Sequence, residues 1–193
     1  MYFKGKKVDN RPSSENFFGY WEEIKGKIIN EVKEVNIEKI LDVGTGFGRN
    51  LEFLLSSFEN AEVYSIDPSR EVIEGVKERI MAKRHSNFKL LVSGVENLDL
   101  PNDFFDLIVS VMALHHVEDL NRALTEMKRV LKRRGKVIIV DWKKEASELP
   151  FRTPHKAEDL IDYKEIMNAV RDLKCKVDDN RHYFVLTCSK DFK

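Results

Sequence analysis

The chain has 193 residues, 42% hydrophobic and 34% charged, which is enough for one domain with a properly buried core. Its 33 Lys and Arg balance 33 Asp and Glu, so no general field draws in nucleic acid or an anionic membrane. Cys175 and Cys188 are too few for a disulfide-built secreted fold, and a reduced pair is expected unless their segments lie side by side.

The first seven residues carry charge with no apolar stretch behind them, so no signal peptide is expected. No apolar run is long enough to span a bilayer. A soluble, cytoplasmic protein is the expectation.

In chain order, residues 15–34 read as a helix, with Phe17, Trp21, Ile24, Ile28 and Val32 at helical spacing. Ile40 to Val43 forms a first strand, and residues 47–58 a helix with Leu51, Leu54, Leu55 and Phe58 on one side. Val63 to Ile66 is a second strand, followed by a helix opening near Ser69 and carrying Val72, Ile73, Val76 and Ile80. Phe88 to Val92 is a third strand. Phe104 to Leu114, almost wholly apolar, reads as a central strand buried on both faces. Leu120, Leu124, Met127, Val130 and Leu131 define a helix that Arg134-Gly135 would end. Lys128, Arg129, Lys132, Arg133, Arg134 and Lys136 then read as cations at a helix C-terminus, where they suit the dipole.

Val137 to Val140 is a fifth strand, and residues 156–172 look helical. Cys175 to Val177 and Tyr183 to Cys188 flank the turn-forming cluster Asp178-Asp179-Asn180, predicting a closing hairpin. Strands alternating with helices predict an α/β fold with an open, mostly parallel sheet covered on both faces.

The most informative segment is Ile40-Leu-Asp-Val-Gly-Thr-Gly-Phe-Gly-Arg-Asn50, with Gly44, Gly46 and Gly48 between a strand end and a helix start. Such a loop lets a ligand lie against bare backbone, next to free N–H groups at the helix N-terminus. A dinucleotide fingerprint would place its third glycine where Arg49 stands. A P-loop would need a Lys-Ser or Lys-Thr pair that does not follow. Asp42 before the first glycine would repel a pyrophosphate and attract an ammonium group. Asp67 ends the second strand, where a carboxylate accepts both hydroxyls of a ribose; its alternative role is a first-turn acid ahead of Ser69. An amino acid and a ribose on adjacent strand ends spell S-adenosylmethionine.

These residues resemble the class I S-adenosylmethionine-dependent methyltransferases, closest to the small ubiquinone and menaquinone biosynthesis type. Asp42-Val-Gly-Thr-Gly-Phe-Gly48 matches that family's acid-x-Gly-x-Gly-x-Gly loop, and Asp67 its ribose-binding acid. Val95-Glu96-Asn97-Leu98 resembles the loop whose backbone reads the adenine edge. Phe105 to Ser110 with Leu114-His115-His116-Val117 resembles the fourth strand and its turn, and Val130 to Val140 the passage into the fifth.

The resemblance implies a Rossmann-like, seven-stranded sheet with a C-terminal antiparallel hairpin. The expected domain spans 1–193, with an N-terminal helix or lid (1–35), a cofactor-binding core (36–145) and a C-terminal helix and hairpin (146–193). It implies a cofactor set of Asp42, Gly44, Thr45, Gly46, Gly48, Asp67, Pro68, Val95, Glu96 and Val111. Where the family often carries an aspartate that accepts from the adenine amino group, this chain has Gly94, which leaves backbone, stacking or Glu96 to read the base.

Methyl transfer from a sulfonium depends on alignment in a dry pocket and needs a general base only when the acceptor arrives protonated. His115 is the expected base, at the carboxyl edge of the sheet, because histidine ordinarily titrates near pH ~6.5. Adjacent histidines on an extended strand end would point oppositely, and the bland alternative has one capping the next helix while the other packs. Neighbouring histidines seldom share an ion, so no metal is expected. Phe17, Phe18, Tyr20, Trp21, Trp142, Phe151, Arg152, Pro154 and His155 are candidates for the pocket wall, with Phe17 and Trp21 doubling as helix core. The acceptor is expected to be a small molecule. Protein or RNA substrates, and a non-catalytic S-adenosylmethionine-binding role, stay open.

Overall fold

Strands form where the short apolar runs stand, and helices where the apolar residues recur every three to four positions. The computed structural model describes residues 2–3, 6–7, 14–83, 85–143 and 160–190. Two-residue strands β1 (Tyr2–Phe3) and β2 (Lys6–Lys7) pair antiparallel before helix α1 (Ser14–Val32). Then come β3 (Lys39–Val43), α2 (Arg49–Ser57), β4 (Glu62–Asp67), α3 (Arg70–Ala82), β5 (Phe88–Val92) and β6 (Phe105–Val111). A 3₁₀ turn at Leu114–His116 leads to α4 (Leu120–Val130), β7 (Leu131–Trp142), α5 (Tyr163–Ala169), β8 (Lys174–Asp179) and β9 (Tyr183–Ser189).

The main sheet has seven strands in the order β5-β4-β3-β6-β7-β9-β8. Strands β3 to β7 run parallel, and β9 lies antiparallel between β7 and β8. This is the expected Rossmann-like sheet with its terminal hairpin. From β3 the chain steps outward to β4 and β5, then returns to the other side of β3 as β6. Trp21, Ile24, Leu51, Leu54 and Val76 of α1, α2 and α3 pack on one face, while Leu124, Met127 and Ile166 of α4 and α5 pack on the other. The connections after β3 and β6 therefore leave the sheet toward opposite faces, and the switch point between them, at the carboxyl edge, is where open α/β sheets have their ligand crevice.

Several sequence expectations are corrected. Helix α4 stops at Val130, and Leu131 already pairs with Phe105. The register then slips, so that Leu107 faces Lys136. Arg134 adopts φ +66° there, and a Cβ on Gly135 would lie 2.8 Å from Leu131 Cδ1. Gly135 thus serves a bulge in β7 rather than a helix end. Of the basic run only Lys128 and Arg129 sit in the last turn of α4. Lys128 pairs with Asp172, Arg129 with Glu126, and Lys132 with Asp106.

Helix α5 is shorter than the 156–172 expected, and residues 156–159 lie outside the described residues. Strand β8 runs on through Asp179, which moves the hairpin turn to residues 180–182. Cys175 faces Cys188 across β8 and β9, and their sulfurs are bonded. The reduced pair is corrected on that ground, since the hairpin lays the two segments side by side. No helix among the described residues is long and apolar enough to cross a membrane.

Candidate active site

The glycine loop crosses from β3 to α2, pinned to the neighbouring strand by Gly44 and Thr45 N–H groups that both donate to Ile66 O, at 3.0 and 2.9 Å. Its three glycines all have positive φ, at +88°, +47° and +73°, but for different reasons. A Cβ on Gly44 would lie 2.4 Å from Ala113 Cβ, and one on Gly48 would lie 2.9 Å from Val76 Cγ1. These two are fixed by packing within the protein. A Cβ on Gly46 would find nothing nearer than Gly44 O at 3.9 Å. Only Gly46 turns a bare, unobstructed backbone outward, the cradle that a ligand lying on the loop requires. No side chain caps α2 at Gly48, and its N-terminus favours an anion.

Asp42 lies beneath this loop, wholly buried. One carboxylate oxygen accepts from Asn50 Nδ2 and the other from Ser65 Oγ, both at 2.6 Å, and Ser65 Oγ meets Thr45 Oγ1 at 2.6 Å. The structure therefore places Asp42 beneath the loop, out of contact with solvent, where it holds the ends of β3 and β4 and the start of α2 together. Burial pushes its carboxyl up to about 6; the Ser65 and Asn50 hydrogen bonds oppose that rise, and the nearby Asp67 charge adds to it.

Asp67 is partly exposed at the end of β4, accepting from Gly46 N–H at 3.1 Å and Ser69 N–H at 2.9 Å. It touches the loop and the entry to α3 at once, while Pro68 beside it is exposed. Ser69 itself caps α3 by accepting from Val72 N–H at 3.3 Å. Val95 is buried, and Glu96 Oε1 accepts from Glu118 N–H at 3.0 Å. A Cβ on Gly94 would stand 3.1 Å from Glu96 Oε2, so the Glu96 carboxylate covers the position that lacks a side chain. Val111 ends β6, and Met112 after it takes φ +53° while donating to Val140 O at 2.8 Å.

The two histidines do not extend the strand; they lie on the 3₁₀ turn with ring centroids 4.1 Å apart. His116 is exposed, whereas the His115 side chain is 2% exposed, with Nδ1 2.6 Å from Asp141 Oδ1. The aromatic wall is also redrawn. Trp21 and Trp142 are buried in the core beneath α1 to α3. Tyr20 bonds His182 Nδ1 at 2.8 Å and packs edge-on against Tyr183, tying α1 to the terminal hairpin. The side chains of Phe17 and Phe18, and residues Phe151, Arg152, Pro154 and His155, lie outside the described residues. Sequence reasoning missed Asn50, Ser65 and Asp141. Asn50 follows the loop directly and was open to notice; Ser65 and Asp141 become partners only through strand register.

Together these features define an α/β protein with an open glycine loop and a strand-end carboxylate at the switch point of its sheet. Residues 41–139, just over half of the chain, match the methyltransferase domain family, and the chain belongs to that family. It is 30% identical over 124 residues to the demethylmenaquinone methyltransferase of Thermotoga maritima, covering 64% of this chain and 52% of that one. It is 28% identical to the malonyl-[acyl-carrier protein] O-methyltransferase of Halorhodospira halophila, over 62% of this chain and 41% of the relative. The chain thus spans about half the length of the curated relatives it matches. Among solved structures, a SAM-dependent methyltransferase from Aquifex aeolicus superposes with a TM-score of 0.72 at 26% identity, over 85% of this chain and 88% of that one.

Proposed function

We propose that the chain binds S-adenosylmethionine in the crevice and transfers its methyl group to a small molecule. The observation that carries this reading is the open backbone of Gly46, set between the start of α2 and the Asp67 carboxylate. The loop accommodates an amino-acid carboxylate at the α2 N-terminus. Asp67 accepts the ribose hydroxyls, with Pro68 shaping the turn beside it. Val95, Glu96 and Val111 line the base and thioether side, and Glu96 Oε2 stands in for the missing acid at position 94. Asp42, Gly44, Thr45 and Gly48 shape the loop from beneath.

When bound, the cofactor supplies a methyl carbon on a sulfonium sulfur: the acceptor's lone pair forms the new bond and the carbon–sulfur pair returns to sulfur. His115 takes the proton that a hydroxyl or ammonium acceptor must lose. The Thermotoga relative, named for demethylmenaquinone, favours a small-molecule acceptor over RNA or protein. We also propose a cytoplasmic setting; disulfides are uncommon there, so thiol counting on protein isolated without oxidant checks the Cys175–Cys188 bond.

Calorimetry with S-adenosylhomocysteine tests binding. Tritiated S-adenosylmethionine, offered with small-molecule, protein and RNA pools, tests transfer. Label in the small-molecule pool is expected; binding without transfer into any pool would replace the enzyme by a cofactor-sensing protein.

A further inference from the structure

Asp141 is a wholly buried carboxylate at the end of β7, and three donors converge on it. Oδ1 accepts from Trp142 N–H at 2.8 Å and faces His115 Nδ1 at 2.6 Å, while Oδ2 accepts from His115 N–H at 3.3 Å. An ionised carboxylate offers acceptors only, so the ring nitrogen held at that distance is the one that carries hydrogen. We propose that Asp141 is the positioning residue of His115, holding the imidazole as its Nδ1–H tautomer so that Nε2 keeps the lone pair that receives the acceptor's proton. This inference rests on the methyltransferase reading above.

The backbone brings this pair to the ligand. Met112 turns back in the left-handed region, where a non-glycine residue is uncommon, and the turn is fastened by Met112 N–H to Val140 O and His116 N–H to Ala113 O, at 2.8 and 3.1 Å. Ala113 packs directly on the glycine loop, since a Cβ on Gly44 would meet it at 2.4 Å. His115 therefore stands two residues from a direct contact with the loop, at the ends of the two strands beyond it. Both partners are out of water, with side-chain exposures of 2% and 0%. In such surroundings the carboxylate and ring hold one geometry and one tautomer, which a solvated pair does not. In a serine hydrolase triad the same arrangement orients the base, and replacing the aspartate by asparagine leaves the wrong tautomer at a cost of about 10⁴ in turnover.

An asparagine at 141 could keep its oxygen on Trp142 N–H and Nδ1 and set its NH₂ against the 3.3 Å His115 N–H, so the test removes the acceptor instead, with alanine. The carboxylate that held the hydrogen on Nδ1 is then gone, and the hydrogen shifts toward Nε2, the tautomer that neutral histidine favours in water. Nitrogen-15 imidazole spectra of the full chain, with His115 assigned from the spectrum of His115→Gln, are expected to show a protonated Nδ1 and a bare Nε2. Asp141→Ala is expected to move the hydrogen toward Nε2. It should also lower tritium transfer into the small-molecule pool by about 100-fold or more, with the dissociation constant for S-adenosylhomocysteine kept within about threefold, as for a residue that touches no ligand.

A hydrogen on Nε2 in the unmodified protein overturns the proposal, and needs no variant to fold. So does unchanged transfer by Asp141→Ala or His115→Gln, or transfer lost only in step with cofactor affinity, the mark of a merely structural anchor. If the unmodified chain fails to bind S-adenosylhomocysteine, the methyltransferase reading falls, while the spectrum still decides the tautomer.

Discussion

Asp42 offers a measurement of what lies beneath the glycine loop. Its carboxyl is raised from 3.8 to about 6, chiefly by burial. Folded protein therefore holds this proton more tightly than the unfolded chain does, so the contribution of Asp42 to stability is greatest at low pH. It is lost as pH rises through the folded value. About 2 units at 1.36 kcal/mol each gives about 3 kcal/mol, spent between pH ~4 and pH ~6 and constant above. Other carboxyls slope the opposite way: Lys89 holds Glu62, and Arg129 holds Glu126, below the usual carboxylate range. The comparison is therefore between the native chain and Asp42→Asn, in which these other groups cancel. Urea unfolding of both proteins, followed by tryptophan fluorescence from pH 4 to 8, gives the difference directly. The native chain is expected to lose about 2.4 kcal/mol of that total relative to the variant between pH 4 and pH 8. Loss of one hydrogen bond in the variant adds a constant offset and leaves the slope alone. A difference that is flat, or that rises with pH, would refute the burial argument.

The remaining predictions separate ligand contacts from packing. Asp67→Ala removes an acceptor for two ribose hydroxyls, so calorimetry should show S-adenosylhomocysteine binding weakened by about 100-fold; unchanged affinity removes the ribose assignment. Gly46→Ala should lower stability by only about 1 kcal/mol, for its positive φ, yet weaken cofactor binding by more than about tenfold. Gly44→Ala should do the reverse in emphasis, costing about 2 kcal/mol or more in thermal unfolding because its Cβ would overlap Ala113. Equal effects of the two glycine substitutions on binding and on stability would count against their separate roles. Reducing the Cys175–Cys188 bond, which closes a loop of 13-residue separation, should lower stability by about 3 kcal/mol in urea unfolding with dithiothreitol; Cys188→Ser should show no further response to the reductant.

Much of the fold could be read along the chain because it is written in short-range periodicity. The runs at Ile40 to Val43 and Val63 to Ile66, and the stripes Leu51-Leu54-Leu55 and Val72-Val76-Ile80, all became the elements expected. What misled were places where a local signal had two outlets. Arg134-Gly135 resembles a helix stop, but the same pair of conformations serves a β-bulge, and the partner strand's register chose between them. The aromatic stretch before β3 resembled a pocket wall, but Tyr20 found His182 and Trp21 found the core.

By itself the sequence determined the alternation of strands and helices, the glycine bend and the acids at 42 and 67, since each depends on neighbours within a few residues. Tertiary structure alone decided that Asp42 faces inward, that Gly46 is the one glycine of the bend left open, that the cysteines are bonded and that Asp141 meets His115. Those facts depend on which strands lie side by side and in what register, across separations of 13 residues for the cysteines and 26 for the histidine and its acid. Burial and pairing are properties of the packed sheet, and no local pattern carries them.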